Sequence, residues 1–239
     1  MPTLPWSSGA ATFAATLFGG RCYLCRGTSG RAVLCAACAA DLPHLPVARC
    51  PRCALPAADG LTCGRCLANP PAFDATVAAF AYAFPANVLV QGLKFRGELA
   101  LAPLLGAALA REIAAAGDAA PHADLILPVP LHPTRLVQRG YNQSMEIART
   151  LANALGLPVD TDACARLRDT PAQVELPWKA RVGNVRGAFS CRRSLDATVV
   201  AVVDDVMTTG ATLGELAATL KQFGARRVVN WVVTRTLPD

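Results

Sequence analysis

From residue 76 to the end of the chain, compact apolar runs alternate with stretches whose apolar positions recur every three or four residues. The compact runs read as strands: TVAAFAYAF at 76–84, DLILPVP at 124–130, VVAVV at 199–203 and RRVVNWVVTRTL at 226–237. VVAVV and DLILPVP have no polar alternation, which marks strands buried on both faces, as inside a parallel sheet. Residues 86–116 read as mostly helical, with breaks at Gly92 and Gly97. NQSMEIARTLANALG, 142–156, sets Ile147, Ala148, Leu151, Ala154 and Leu155 on one helical face and stops at Gly156 before Pro158. Leu213, Leu216, Ala217, Leu220 and Phe223 line a last helix, with Thr212 and Glu215 placed as its capping box. Such alternation predicts an α/β fold, a parallel sheet flanked by helices. RLRDTPAQVELPWKARVGNVRGAF, 166–189, has no clean period and reads as a long polar connection.

The first 70 residues obey a different pattern. Eight of the ten cysteines form four C-x-x-C pairs, CYLC, CAAC, CPRC and CGRC. Cys22, Cys25, Cys35 and Cys38 recur 28 residues later as Cys50, Cys53, Cys63 and Cys66, so the segment holds two copies of one unit. Two C-x-x-C turns supply four thiolates to one tetrahedral zinc, and the segment has too few bulky apolar residues to hold a core without metal. Redox pairs are the competing reading, and iron–sulfur spacings differ from these. With no water or carboxylate ligand, both sites are expected to be structural zinc. The 28-residue period favours sequential grouping, four cysteines per copy, over a crossed set of Cys35, Cys38, Cys50 and Cys53. The expected division is a double zinc-ribbon module at 1–70 and an α/β domain at 71–239.

Composition then removes several classes. The longest apolar run, LALAPLLGAALA at 99–110, is too short to cross a bilayer and is closed by Glu98 and Arg111. No basic segment precedes the weakly apolar start, so no signal peptide is expected and the cytoplasm is the expected location. Formal charge is +6, of which 1–70 carries +4. Two zinc tetrathiolates at about −2 each leave a nearly balanced protein, so charge alone does not argue for nucleic acid. Arg21, Arg26, Arg31, Arg49, Arg52 and Arg65 gather around the cysteines and form a candidate phosphate-contacting face; in a chain with 20 arginines and three lysines they read equally as ordinary surface charge.

Candidate chemistry collects where strands end. Asp204 and Asp205 stand at the carboxyl end of the late valine strand, where ligands bind in open α/β sheets. Thr208, Thr209, Gly210, Ala211 and Thr212 then make a turn of small residues before a helix, with amides and helix dipole suited to a phosphate. Carboxylates beside a phosphate cradle suit hydroxyls or a bound cation, the mixture a sugar phosphate presents. A second strand end opens into PVPLHPTRLVQRGYNQS, where Arg135 and Arg139 can neutralise a pyrophosphate and His132 follows a proline-framed turn. Arg166, Arg168, Lys179, Arg181 and Arg186 of the polar connection can close over an anion.

VVDDVMTTGAT resembles the 5-phosphoribosyl 1-pyrophosphate (PRPP) motif of type I phosphoribosyltransferases. Together with the paired cysteines, QGLKFRGE, PVPLH..R...RGYNQS and R.R.T..Q.......R..N..GAF in that order, the chain resembles the ComF family of bacterial competence proteins, a zinc ribbon joined to such a domain and linked to DNA uptake and natural transformation. Ser144 follows the family's Asn-Gln, and Tyr141 replaces a common phenylalanine. The resemblance implies that Asp204 and Asp205 hold the ribose hydroxyls and Thr208 to Thr212 the 5-phosphate. It further implies a pyrophosphate loop of Val129, Pro130, Leu131 and His132, near Arg135 and Arg139, and a flexible loop at 166–184 with Arg168, Thr170, Gln173, Arg181 and Asn184. Zinc at two structural sites, and Mg²⁺ with PRPP, are the implied cofactors. The expected activity is phosphoribosyl transfer to an acceptor that the sequence does not name. The competing expectation is a non-catalytic PRPP-responsive factor that binds single-stranded DNA and meets other DNA-uptake proteins; a third is a structural adaptor. Cys164 and Cys191 read as ordinary buried thiols.

Overall fold

The structure is a computed structural model that describes residues 20–117, 122–169 and 185–238. Two compact units divide the chain, Met1–Leu42 and Pro43–Asp239. In the first, β1 (Gly20–Arg21) pairs antiparallel with β2 (Thr28–Gly30), and α1 (Ala36–Ala40) follows. The second begins with the other cysteine copy and its helix α2 (Gly64–Ala68). Then come β3 (Ala75–Ala81), α3 (Ala86–Phe95), α4 (Leu101–Ala116), β4 (Leu125–Pro128), α5 (Pro133–Arg139), α6 (Gln143–Leu155), β5 (Cys164–Arg166), β6 (Phe189–Cys191), β7 (Val199–Met207), α7 (Ala211–Gln222) and β8 (Arg227–Arg235).

The four long strands form one parallel sheet in the order β3-β8-β7-β4. Valine-rich β7 and β8 lie at its centre, as their unbroken apolar runs require. Leu125, Leu127, Val200, Val202, Val228 and Val232 pack on one side with Leu213, Leu216, Ala217 and Leu220 of α7. Helices α4 and α6 pack against each other and against the sheet. Leu45, Cys50, Cys53, Ala54 and Cys66 join the α7-side core, so the second cysteine copy is part of this unit's interior. It is also bonded to the edge strand: Thr76 donates its N–H to Pro51 O (3.0 Å) and its hydroxyl to Arg52 O (2.6 Å).

Three local expectations are corrected. Only Gly97, at φ 70°, separates α3 from α4; Gly92 is buried within α3, where a residue without a side chain is accommodated by packing. The Thr212–Glu215 capping box does not form. Gly210, at φ 84°, opens α7 two residues early, and Glu215 instead accepts the N–H of Gly187 at 2.6 Å. The stretch read as an open loop after β4 contains α5, which has Pro133 in its first turn, His132 as N-cap and left-handed Gly140 as C-cap. The two ends of the polar connection are regular, since β5 and β6 pair antiparallel there. Among the described residues, no helix is long and apolar enough to cross a membrane.

Gly106 of α4 fixes how closely α6 approaches. A Cβ there would lie 2.7 Å from Thr150 Cβ and 2.9 Å from Thr150 Cγ2, closer than real contacts allow. Gly106→Ala is therefore expected to lower unfolding free energy by about 1–3 kcal/mol, the usual cost of overpacking, as read by urea denaturation.

Candidate functional site

Parallel pairing of Pro128 with Val203 sets the carboxyl end of β4 beside β7 just before Asp204 and Asp205, which lie within that strand rather than past its end, since β7 runs on to Met207. Val129 extends the pairing by donating its N–H to Val203 O at 2.9 Å. Asn142 secures the same loop: its Nδ2 donates to Val129 O (3.0 Å) while its Oδ1 accepts the Ser144 N–H (3.0 Å), which makes it the N-cap of α6. The first residues of α6 are thereby aimed at the aspartates. Ser144 Oγ donates to Asp204 Oδ1 at 3.0 Å, and Gln143 Nε2 lies 3.4 Å from Asp205 Oδ1.

The two aspartates have different surroundings. Asp205 is 2% exposed, and Lys94 of α3 stands 2.9 Å from its Oδ2. Burial alone would raise the Asp205 pKa, but the Lys94 ammonium holds it below the ordinary carboxylate value; Lys94, pushed down by burial, is drawn up by Asp205. Asp204 is half-buried, and its Oδ1 accepts the Ser144 hydroxyl and the Asp205 N–H (3.0 Å). Burial, and then the neighbouring Asp205 charge, push the Asp204 carboxyl up to about 7.

The turn after β7 is held from below. Thr209 Oγ1 accepts the Ala211 N–H at 3.1 Å, and Arg235 Nη1 donates to Met207 O (2.9 Å) and to Thr208 O. Gly210 is left-handed at φ 84°, so a side chain there would be strained, and a Cβ would also displace the Met207 methyl 2.8 Å away. Thr208, Thr209, Gly210, Ala211 and Thr212 are all half-buried rather than covered.

The basic residues divide among several partners. Arg139 Nη1 donates to Gln143 Oε1, and its guanidinium lies 5.7 Å from the Phe95 ring centre. Arg135 pairs with Asp169 at 3.1 Å. Arg166 lies 5.6 Å over the Phe189 ring; burial lowers its pKa, and the charge that most opposes this is that of Asp204. His132 Nδ1 accepts the Thr134 N–H as a helix cap, and Val129 is buried, with Pro130 and Leu131 half-buried after it. Arg168 donates to Arg186 O at 2.8 Å. Thr170, Gln173, Arg181 and Asn184 lie outside the described residues. Lys94 stands within QGLKFRGE, and Asn142 and Gln143 within RGYNQS, but the sequence assigned none of them a role.

The cysteines assemble as two sequential sets, Cys22, Cys25, Cys35, Cys38 and Cys50, Cys53, Cys63, Cys66, with the sulfurs of each set within 4.8 Å of one another. Four sulfurs about 2.3 Å from a zinc ion are about 3.8 Å apart. Cys25–Cys35 and Cys53–Cys63 each measure 3.7 Å, so both sets fit that ion. The backbone repeats with the 28-residue period. Cys22 N–H donates to Gly27 O and Cys50 N–H to Leu55 O, both at 2.7 Å, and the residues after the first pair of each set, Arg26 and Ala54, are left-handed at φ 64° and 57°. Of the arginines around them, Arg21, Arg26 and Arg31 are exposed, whereas Arg49 is engaged with Glu112 at 3.1 Å.

Residues 13–67 match the double zinc ribbon domain family. The DNA utilization protein YhgH of Salmonella typhi is 36% identical over 223 residues, covering 91% of this chain and 98% of that protein. Competence protein F of Haemophilus influenzae is 32% identical over 228 residues, with the same coverage. Among solved structures, the B. subtilis glutamine PRPP amidotransferase complexed with ADP and GMP matches 54% of this chain and 25% of its own at 25% identity and TM-score 0.36. A purine phosphoribosyltransferase from Pyrococcus horikoshii matches 56% of this chain and 82% of its own at 20% identity and TM-score 0.34.

Two outcomes follow from the unequal aspartates. The raised Asp204 pKa opposes folding progressively as pH rises from about 4, where the unfolded carboxyl ionises, to about 7, where the folded one does. Asp204→Asn is thus expected to raise the melting temperature at pH 8, with a gain that shrinks steadily below pH 7. Lys94→Met is expected to destabilise by about 3–5 kcal/mol by stranding the buried Asp205 charge, and adding Asp205→Asn is expected to recover most of that loss in denaturant titrations.

Proposed function

The chain belongs to the ComF family, with YhgH and competence protein F among its relatives, and on that premise we propose that it binds PRPP at the end of β7 and transfers the phosphoribosyl group to an acceptor. Its parallel sheet with flanking helices is the type I phosphoribosyltransferase fold, preceded by a double zinc ribbon with two four-cysteine groups. The observation that carries the proposal is the convergence of the two strand ends. A half-buried carboxylate, Asp204, lies between a turn of small residues that opens a helix and the loop after β4.

In this reading the ribose hydroxyls donate to Asp204, whose Oδ1 Ser144 already holds in place. Asp205 contributes through its buried charge pair, which keeps the end of β7 and the start of α6 together. The 5-phosphate accepts from the amides of 208–212 at the N-terminus of α7. The diphosphate lies along Val129 to His132, where Arg139 and Arg135 oppose its charge. Asp204, a half-exposed oxygen donor, would help to hold a Mg²⁺ ion, which would supply charge neutralisation to the diphosphate. In the transfer, a nitrogen lone pair of the acceptor bonds to the anomeric carbon, the bond to the diphosphate oxygen breaks with its electron pair, and the acceptor nitrogen loses a proton. The transition state is a ribosyl oxocarbenium ion, so rate is gained by fixing the sugar and stabilising the leaving group rather than by a protein nucleophile.

The relatives' names favour a second reading, a PRPP-responsive factor that handles DNA without turnover. Its candidate face is the exposed Arg21, Arg26 and Arg31 of the first cysteine unit.

Calorimetry with PRPP and Mg²⁺ is expected to show one site. Loss of a charge-assisted hydrogen bond predicts that Asp204→Ala weakens binding at least about tenfold, and the absence of heat with the wild-type protein would refute the proposal. Pyrophosphate release that depends on one member of a panel of bases and amines supports transfer; binding without release with any acceptor supports the second reading. In that case single-stranded DNA affinity is expected to fall with salt, and to fall further on replacing Arg21, Arg26 and Arg31.

A further inference from the structure

Arg235 ends β8 and is 1% exposed, yet no carboxylate pairs with it among the described residues. A guanidinium keeps its charge at any physiological pH, so burying one requires hydrogen bonds and a counter-charge. Its hydrogen bonds run in two directions. Nε donates to Cys53 O at 2.7 Å, inside the second cysteine group; Nη1 donates to Met207 O at 2.9 Å, to Thr236 O at 2.8 Å and to Thr208 O, at the head of the turn that opens α7. Nη2 is buried and has no hydrogen-bond partner. The groups that would act on the guanidinium as a counter-charge, once ionised on a metal, are the sulfurs of Cys53 and Cys66.

A zinc tetrathiolate carries about −2. Metal on the second group therefore places a counter-charge against the one buried cation that holds the carbonyls of Met207 and Thr208. Cys53 and the turn are brought to one planar, forked side chain whose donors cannot all be kept if either end moves.

We propose that Arg235 is a positioning residue that couples the second zinc group to the turn at 207–212, so that metal on the cysteines and a ligand on the turn favour each other. The ligand half of this coupling rests on the PRPP reading above; the link between metal and turn does not. A coupling of this kind is reciprocal: whatever factor zinc contributes to ligand affinity, ligand contributes to zinc retention.

The test compares wild type with Arg235→Lys, which keeps the charge but not the fork. In the zinc-loaded proteins without ligand, Arg235→Lys is expected to speed amide hydrogen exchange at 207–212 about tenfold or more, with exchange at 125–128 and 199–203 unchanged. It is also expected to speed chelator-driven release of one of the two zinc equivalents and leave the other at the wild-type rate. Unchanged exchange at 207–212, or release of both equivalents accelerated alike, overturns the proposal whatever PRPP does. If calorimetry shows PRPP binding to wild type, PRPP is further expected to slow loss of that same zinc equivalent several-fold in wild type and not in Arg235→Lys. Absence of PRPP binding refutes the ligand assignment alone, while equal slowing in both proteins overturns the coupling.

Discussion

The unit from Pro43 onward is organised by one costly act, burial of a carboxylate at the end of its central strand. Asp205 has almost no contact with water, and an ionised carboxylate is stable there only with a cation and donors around it. Lys94 comes from α3, Gln143 from the first turn of α6, and Thr234 of β8 donates its hydroxyl to the Asp205 carbonyl at 3.0 Å. Three elements far apart in the chain are therefore held at one point. Arg139, drawn in by Gln143, and Asn142, which caps α6 and grips Val129, extend that network to the loop after β4. The meeting of these elements around β7 is thus a consequence of satisfying one buried charge.

The cysteine segment solves a different problem with the same economy. Helices α1 and α2 have five residues each, too short to persist in isolation, and α1 buries no residue at all. The thiolates therefore supply the cross-links that apolar packing cannot, and the 28-residue identity of hydrogen bonds and left-handed positions shows that metal geometry, rather than the intervening residues, determines the fold of each copy. The surroundings of the copies differ. Cys50, Cys53 and Cys66 pack with the sheet core, so the second group is both a ribbon and a piece of the α/β interior.

Much of this was legible in the sequence. Unbroken valine runs gave the central strands, the 3.6-residue pattern and Gly156 gave α6, and the cysteine period gave the sequential grouping that the sulfurs adopt. The misses share a cause. Gly92 lies inside a helix because its neighbours on α3 are buried, and Glu215 left its cap for Gly187, which is 28 residues away in sequence. Lys94 looks like any solvated lysine until the sheet order brings α3 over β7. Arg235 looks like the polar end of a strand, yet it is among the most deeply buried side chains. Local patterns encode elements; the partner of a buried charge is encoded only in the topology.

Topology also divides the work within Asp204–Asp205, which the sequence presents as equals. Successive residues of a strand point to opposite sides of the sheet, so one carboxylate must turn inward when the other faces the cleft. Asp205 turns inward, where Lys94 pairs with its charge and Gln143 donates to its Oδ1. Asp204 uses one oxygen for Ser144 and the Asp205 N–H, which leaves the other to the half-exposed side. Its pKa near 7 follows first from burial and then from this division: the inward charge that fixes the strand end also repels a second one beside it. A hydrogen-bond donor or a cation placed against Asp204 would relieve that repulsion, so placing two carboxylates in sequence costs the fold energy that only an added positive or donating group could return.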